Sequence, residues 1–109
     1  MASANKPPKP PETYRAFIKK YPKLGEAWDK ITEAGQQGPF DAKTIRLLKL
    51  AISIGAMREG AVHSGVRKAL AAGISVEELD QLVSLAASTI GMPSTVAIFS
   101  WVRDVVDKK

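Results

Sequence analysis

From Leu24 to Val106 the apolar residues recur three and four positions apart, and no stretch alternates apolar with polar residues over a strand's length. That spacing is the repeat of a helix with one buried face, not the period of two that a half-buried strand requires. There is also no Asn-Gly or Asp-Gly pair to turn a hairpin. The chain is therefore expected to be all-α, with about six helices. Glu12 to Tyr21 reads as a short helix stopped by Pro22, and Leu24 to Ala34 as a second, closing at Gly35. Gln36-Gln-Gly-Pro-Phe40 is a loop, after which Asp41 caps a third helix running to Met57. That helix carries Ile45, Leu47, Leu48, Leu50, Ile52 and Ile54, apolar on more than one face, which predicts wide burial in a core or against another subunit. A fourth helix spans Arg58 to Ala71 before Gly73, and its stripe of Ala61, Gly65 and Ala69 permits close helix contact. Ser75-Val-Glu-Glu78 is a capping box opening a fifth helix that ends at Gly91. Pro93 suits the first turn of a sixth, with Val96, Phe99, Val102 and Val106 on one side.

A chain of 109 residues is one domain's worth, read here as a flexible Pro/Lys-rich arm over 1–11 and a single helical domain over 12–109. The absence of cysteine removes disulfides, thiolate metal sites and thiol redox chemistry together, and fits a cytoplasmic location. The N-terminal residues lack the apolar centre of a signal peptide, and no apolar run reaches the length of a membrane span. The net charge of +5 resembles a nucleic-acid signal until it is located. Residues 1–23 hold six basic side chains against Glu12 alone, while the rest of the chain is neutral. With only Tyr14 and Phe17 beside that charge and no nucleic-acid motif after it, a solvated basic tail is expected, not a nucleic-acid or membrane partner.

Chemistry concentrates at Glu59-Gly-Ala-Val-His63, which holds the chain's one histidine. Four residues is about one helical turn, so the carboxylate and the imidazole share a face. An imidazole titrates near neutrality, and an adjacent carboxylate orients the ring and fixes which nitrogen carries its proton. Arg67 continues the ladder one turn further.

Three features taken in order resemble the carboxymuconolactone decarboxylase and alkylhydroperoxidase-D-like superfamily. They are Asp41-Ala-Lys-Thr44 leading into an apolar helix that closes at Ile54-Gly55-Ala56; Glu59 and His63 followed by Arg67, Ala69 and Leu70; and Ala72-Gly-Ile-Ser-Val-Glu-Glu78 leading to Leu85 and Gly91-Met-Pro93. The likeness covers residues 24–106. It implies an all-α subunit built around an antiparallel helix pair, assembled as a homotrimer or hexamer. One branch of the superfamily is a thiol peroxidase, with a Cys-x-x-Cys ending four residues before the histidine and a glutamate about three turns upstream. Here the cysteine positions are Ala56 and Glu59, and the stretch from Ala42 to Arg58 has neither Asp nor Glu. Peroxidase chemistry of that kind is excluded. The other branch decarboxylates a small lactone acid without a cofactor. Loss of CO₂ leaves an enolate-like charge to be stabilised and protonated, a task for an acid near neutrality and a cation. On that likeness His63 is the proton donor, Glu59 its orienting partner and Arg67 the anion holder. Arg58 and Arg46 are further candidates for the cationic role, and Ser64 for a hydrogen bond to the substrate.

A second reading stays open, in which His63 is a packed structural ring and the chain a non-catalytic oligomeric scaffold or binding protein on the same fold. The two differ in whether the ring stands at the wall of a solvent-reachable pocket or is packed tight with no cavity. No cofactor is expected. No metal is expected either, because one histidine and one carboxylate leave too few ligands per chain, unless three His63 rings meet on a trimer axis.

Overall fold

The computed structural model describes residues 11–108, so the expected arm over 1–11 lies outside them except for Pro11. Among the described residues there are six helices and no strand: α1 (Glu12–Lys20), α2 (Pro22–Gly35), α3 (Ala42–Gly55), α4 (Glu59–Ala71), α5 (Val76–Ile90) and α6 (Met92–Val106). Among the described residues no helix is long and apolar enough to cross a membrane. The described residues fall into two compact units, one within Lys9–Ala42 and one within Lys43–Lys109.

The first unit is the α1–α2 pair. Pro22 does more than stop α1; it occupies the first turn of α2, where its fixed φ suits a helix start and no N–H is needed. The pair closes through Gly25, the unit's one buried residue among those described, where an added Cβ would lie 3.1 Å from the Cβ of Ile18. Tyr14, Phe17, Leu24, Trp28 and Ile31 line an open, almost wholly apolar groove of about 330 Å³. Trp28 is 55% exposed on this groove.

The second unit holds the core. Val62, Val66 and Ala69 of α4, Leu79, Val83 and Ala86 of α5, and Ile98 and Val102 of α6 are buried together with Leu50 and Ile54 of α3. On α4 and α5 those positions run i, i+4, i+7, a single stripe on each helix, and α6 packs against both. Each large side chain buried in this way contributes about 1.5–3 kcal/mol relative to exposure. Gly65 admits α3, since an added Cβ there would sit 2.9 Å from Leu50 Cδ1; of the rest of the small-residue stripe Ala69 is buried and Ala61 is exposed. α3 itself is buried on one face only. Leu50 and Ile54 are enclosed, while Leu48 and Ile52 are exposed, so burial within the chain covers one of its apolar faces and leaves the other open.

Local signals fix the helix ends. Ser75 Oγ accepts from the Glu78 N–H at 3.0 Å and Glu78 Oε1 accepts from the Ser75 N–H at 2.9 Å, completing the capping box. Lys43 also pairs with Glu78; that hydrogen bond, with the Ser75 N–H, holds the Glu78 carboxyl below its ordinary range. α4 ends in a Schellman turn: the Ile74 N–H reaches Ala69 O and the Gly73 N–H reaches Leu70 O, both at 3.0 Å. Gly73 takes φ +90°, which a side chain would resist, and Ile74 drops into the core. Between α3 and α4, Met57 adopts φ 56°, a left-handed conformation rare for a residue with a side chain. Met57 and Met92 are both exposed.

Candidate functional site

α4 begins at Glu59, with Arg58 as its N-cap in extended conformation and the Arg58 carbonyl accepting from the Val62 N–H at 2.9 Å. The acidic residue in the first turn and Lys68 in the last both complement the helix dipole. His63 follows Val62, which is fully buried, so its ring lies at the rim of the packed stripe where α4 meets α6. Two residues beyond the buried Val102, α6 presents Asp104. The two rims meet: His63 Nε2 is 3.0 Å from Asp104 Oδ2 and 3.9 Å from Glu59 Oε2. The His63 side chain is 25% exposed and each carboxylate 56%, so the ring is enclosed on the core side and open to solvent on the other.

Glu59 and His63 thus come together as their spacing predicts. Asp104, 41 residues from His63, is the partner that sequence reasoning missed. Nothing local marks it, since it is one acidic residue near the end of an apolar helix. Counted along α4 alone, the site offers two metal-ligating side chains; with Asp104 it offers three, whose donor atoms all lie within 4.8 Å of one another. Among the described residues neither carboxylate forms an ion pair with a lysine or arginine. Arg103, beside Asp104 in sequence, is engaged elsewhere, paired with Asp80 and stacked 4.7 Å from the Phe99 ring centre.

Among the described residues none of the expected cations forms an ion pair with this cluster. Arg58 and Arg67 are exposed, and Arg46 and Ser64 are half-buried. Arg67 joins Arg46 and Lys49 of α3 in a positive field around Lys68. Partial burial, and then those three like charges, push the Lys68 ammonium below its ordinary value. α4 therefore carries an acidic zone with the imidazole at its start and a basic zone at its end. An imidazole hydrogen-bonded to a carboxylate, with a solvent-facing side, is equipped to move a proton.

The description "Carboxymuconolactone decarboxylase family" belongs to a family model that matches residues 22–104. The chain belongs to this family. Comparison with curated proteins and with solved structures gave no match. Within the carboxymuconolactone decarboxylase family match lie Glu59, His63, Arg67 and Asp104, the last at its final position.

Proposed function

We propose that the protein is a cofactor-free acid–base catalyst acting on a small organic acid or lactone, with decarboxylation as its reaction. The observation that carries this is the 3.0 Å hydrogen bond between His63 Nε2 and Asp104 Oδ2, on a ring still reachable from solvent. With Asp104 accepting from Nε2–H, a charged ring keeps its Nδ1–H for the substrate. As CO₂ departs, its bonding electrons remain on the substrate as an enolate, which takes that proton, and solvent at the exposed carboxylates restores it. Glu59 supports the ring from the same helix. Arg67, within the basic zone of Arg46, Lys49 and Lys68, supplies attraction for an anionic substrate, with Arg58 and Ser64 as further contacts.

The family match crosses both compact units, which supports one functional domain over 12–109. The exposed Leu48, Ile52, Leu85, Met92, Val96 and Phe99 support the reading of the chain as one protomer of a homotrimer or hexamer built on an antiparallel helix pair. A cytoplasmic location fits a chain without cysteine. The 25% exposure of the His63 side chain speaks against the tightly packed ring of the scaffold alternative.

The test is to follow the His63 C2 proton by NMR across pH with a panel of small lactone and keto acids, and to assay decarboxylation of any acid that shifts it. The single histidine makes the signal unambiguous. A ligand-responsive resonance, and activity lost in His63→Ala, are expected. An acid turned over equally fast by His63→Ala would refute the mechanism.

A further inference from the structure

We propose that Glu59, His63 and Asp104 form a binding site for one divalent first-row transition-metal ion, held by the imidazole Nε2 and two carboxylate oxygens. This goes beyond the acid–base reading and stands independently of it. Ligands about 2.0–2.2 Å from a metal lie roughly 3–3.5 Å from each other in tetrahedral or octahedral geometry. The Nε2 to Asp104 separation of 3.0 Å already falls in that range. The Glu59 oxygen, at 3.9 Å from Nε2, reaches it by a small rotation of an exposed side chain. All three donor atoms lie within 4.8 Å of one another.

The frame beneath these ligands is rigid. Val62 of α4 and Val102 of α6, each within two residues of a ligand, are fully buried in the core where the two helices pack. Charge points the same way. Two ionised carboxylates and a neutral imidazole total −2, and among the described residues no lysine or arginine pairs with either carboxylate. One nitrogen and two oxygens suit Zn²⁺, Co²⁺ or Ni²⁺ better than Mg²⁺ or Ca²⁺, which take oxygen alone. The exposed side of the cluster leaves coordination positions for water or an anionic ligand. A metal requires a bare Nε2 lone pair, so the ring's proton moves to Nδ1, the tautomer opposite to the one Asp104 holds through Nε2–H. Metal at Nε2 and the His63–Asp104 hydrogen bond that orients the ring for proton donation therefore exclude each other.

The experiment is titration of the full chain, freed of metal by chelator, with CoCl₂. It is followed by Co²⁺ visible absorption, by the paramagnetic shift of the His63 C2 proton, and by competition with ZnCl₂. One Co²⁺ per chain is expected, displaced by Zn²⁺. Affinity should fall at least about tenfold in Asp104→Asn and in Glu59→Gln, and stay unchanged in Glu77→Gln on α5. Asp104→Asn and Glu59→Gln are near-isosteric changes at exposed positions, so circular dichroism should report the same helix content as the parent. Absence of a Co²⁺ spectrum, or equal affinity in the parent and both variants, would overturn the site. Either result leaves the proton-transfer reading to its own test, which uses metal-free protein and organic acids.

Discussion

Replacing Gly65 with alanine pits a local gain against a tertiary loss, and the structure says which wins. In a helix interior alanine is favoured over glycine by about 1 kcal/mol. At Gly65, however, the new methyl would sit 2.9 Å from Leu50 Cδ1, closer than carbon atoms pack. Leu50 is only 1% exposed, so its methyl has little room to swing aside. Overpacking of this kind costs about 1–3 kcal/mol, which leaves Gly65→Ala neutral to about 2 kcal/mol destabilising. The decisive comparison is the same change in a Leu50→Ala background. Leu50→Ala alone costs about 2–5 kcal/mol, but it empties the space the new methyl needs. There Gly65→Ala should become stabilising by about 1 kcal/mol, so a double-mutant cycle should give a coupling of about 1–3 kcal/mol. Urea unfolding at one fixed protein concentration reads all four variants, because assembly would otherwise shift apparent stability. Equal effects of Gly65→Ala in the two backgrounds would mean that α3 does not rest on α4 at this point.

Ser75→Ala removes the hydroxyl that accepts from the Glu78 N–H and should cost about 1 kcal/mol in thermal or urea unfolding, whereas Ser75→Asp should retain most of the cap. Lys68 carries the opposite sign. Its folded pKa is lowered from 10.5 by burial and then by Arg46, Lys49 and Arg67, so between the folded and unfolded values the unfolded chain binds more protons. Its charge therefore costs stability at neutral pH, a cost relieved as pH rises through the folded value. Lys68→Met, which keeps the aliphatic stem, should stabilise by a few tenths of a kcal/mol at pH 7, with the advantage shrinking towards pH 10.5. A variant whose advantage grew with pH would contradict the assignment.

The parts of the fold legible in sequence were those written locally. Ser75 and Glu78 announce the start of α5 because the two groups that bond are three residues apart. The Glu59–His63 pairing is legible for the same reason, lying within one turn of one helix. What a periodic pattern does not report is which neighbour covers each face. Leu48 and Ile52 fit the apolar pattern of α3 as well as Leu50 and Ile54 do, yet only the latter pair is enclosed. Pro22 was readable as a stop and proved to be a start as well, since its missing N–H is harmless in a first turn. Asp104 lay beyond reach because its meaning depends on the packing of α4 against α6, and helix contacts leave no short-range mark.

The hydrogen bond between His63 and Asp104 also dates the site within the life of the molecule. α4 brings Glu59 and His63 to one face as soon as it coils, on the sub-microsecond to microsecond scale of helix formation. The second carboxylate arrives only when the chain has looped across the 41 positions from His63 to Asp104 and α6 has docked. The closing of that loop is the slower event, because its entropy is lost before the contact rewards it. A nascent or partly folded chain therefore holds the imidazole in the wrong company, with one carboxylate and no depth of protein behind it. The lone histidine resonance is then a clock for docking: in a refolding experiment it should reach its native position with the tertiary signal of the buried valines, after helical circular dichroism has recovered.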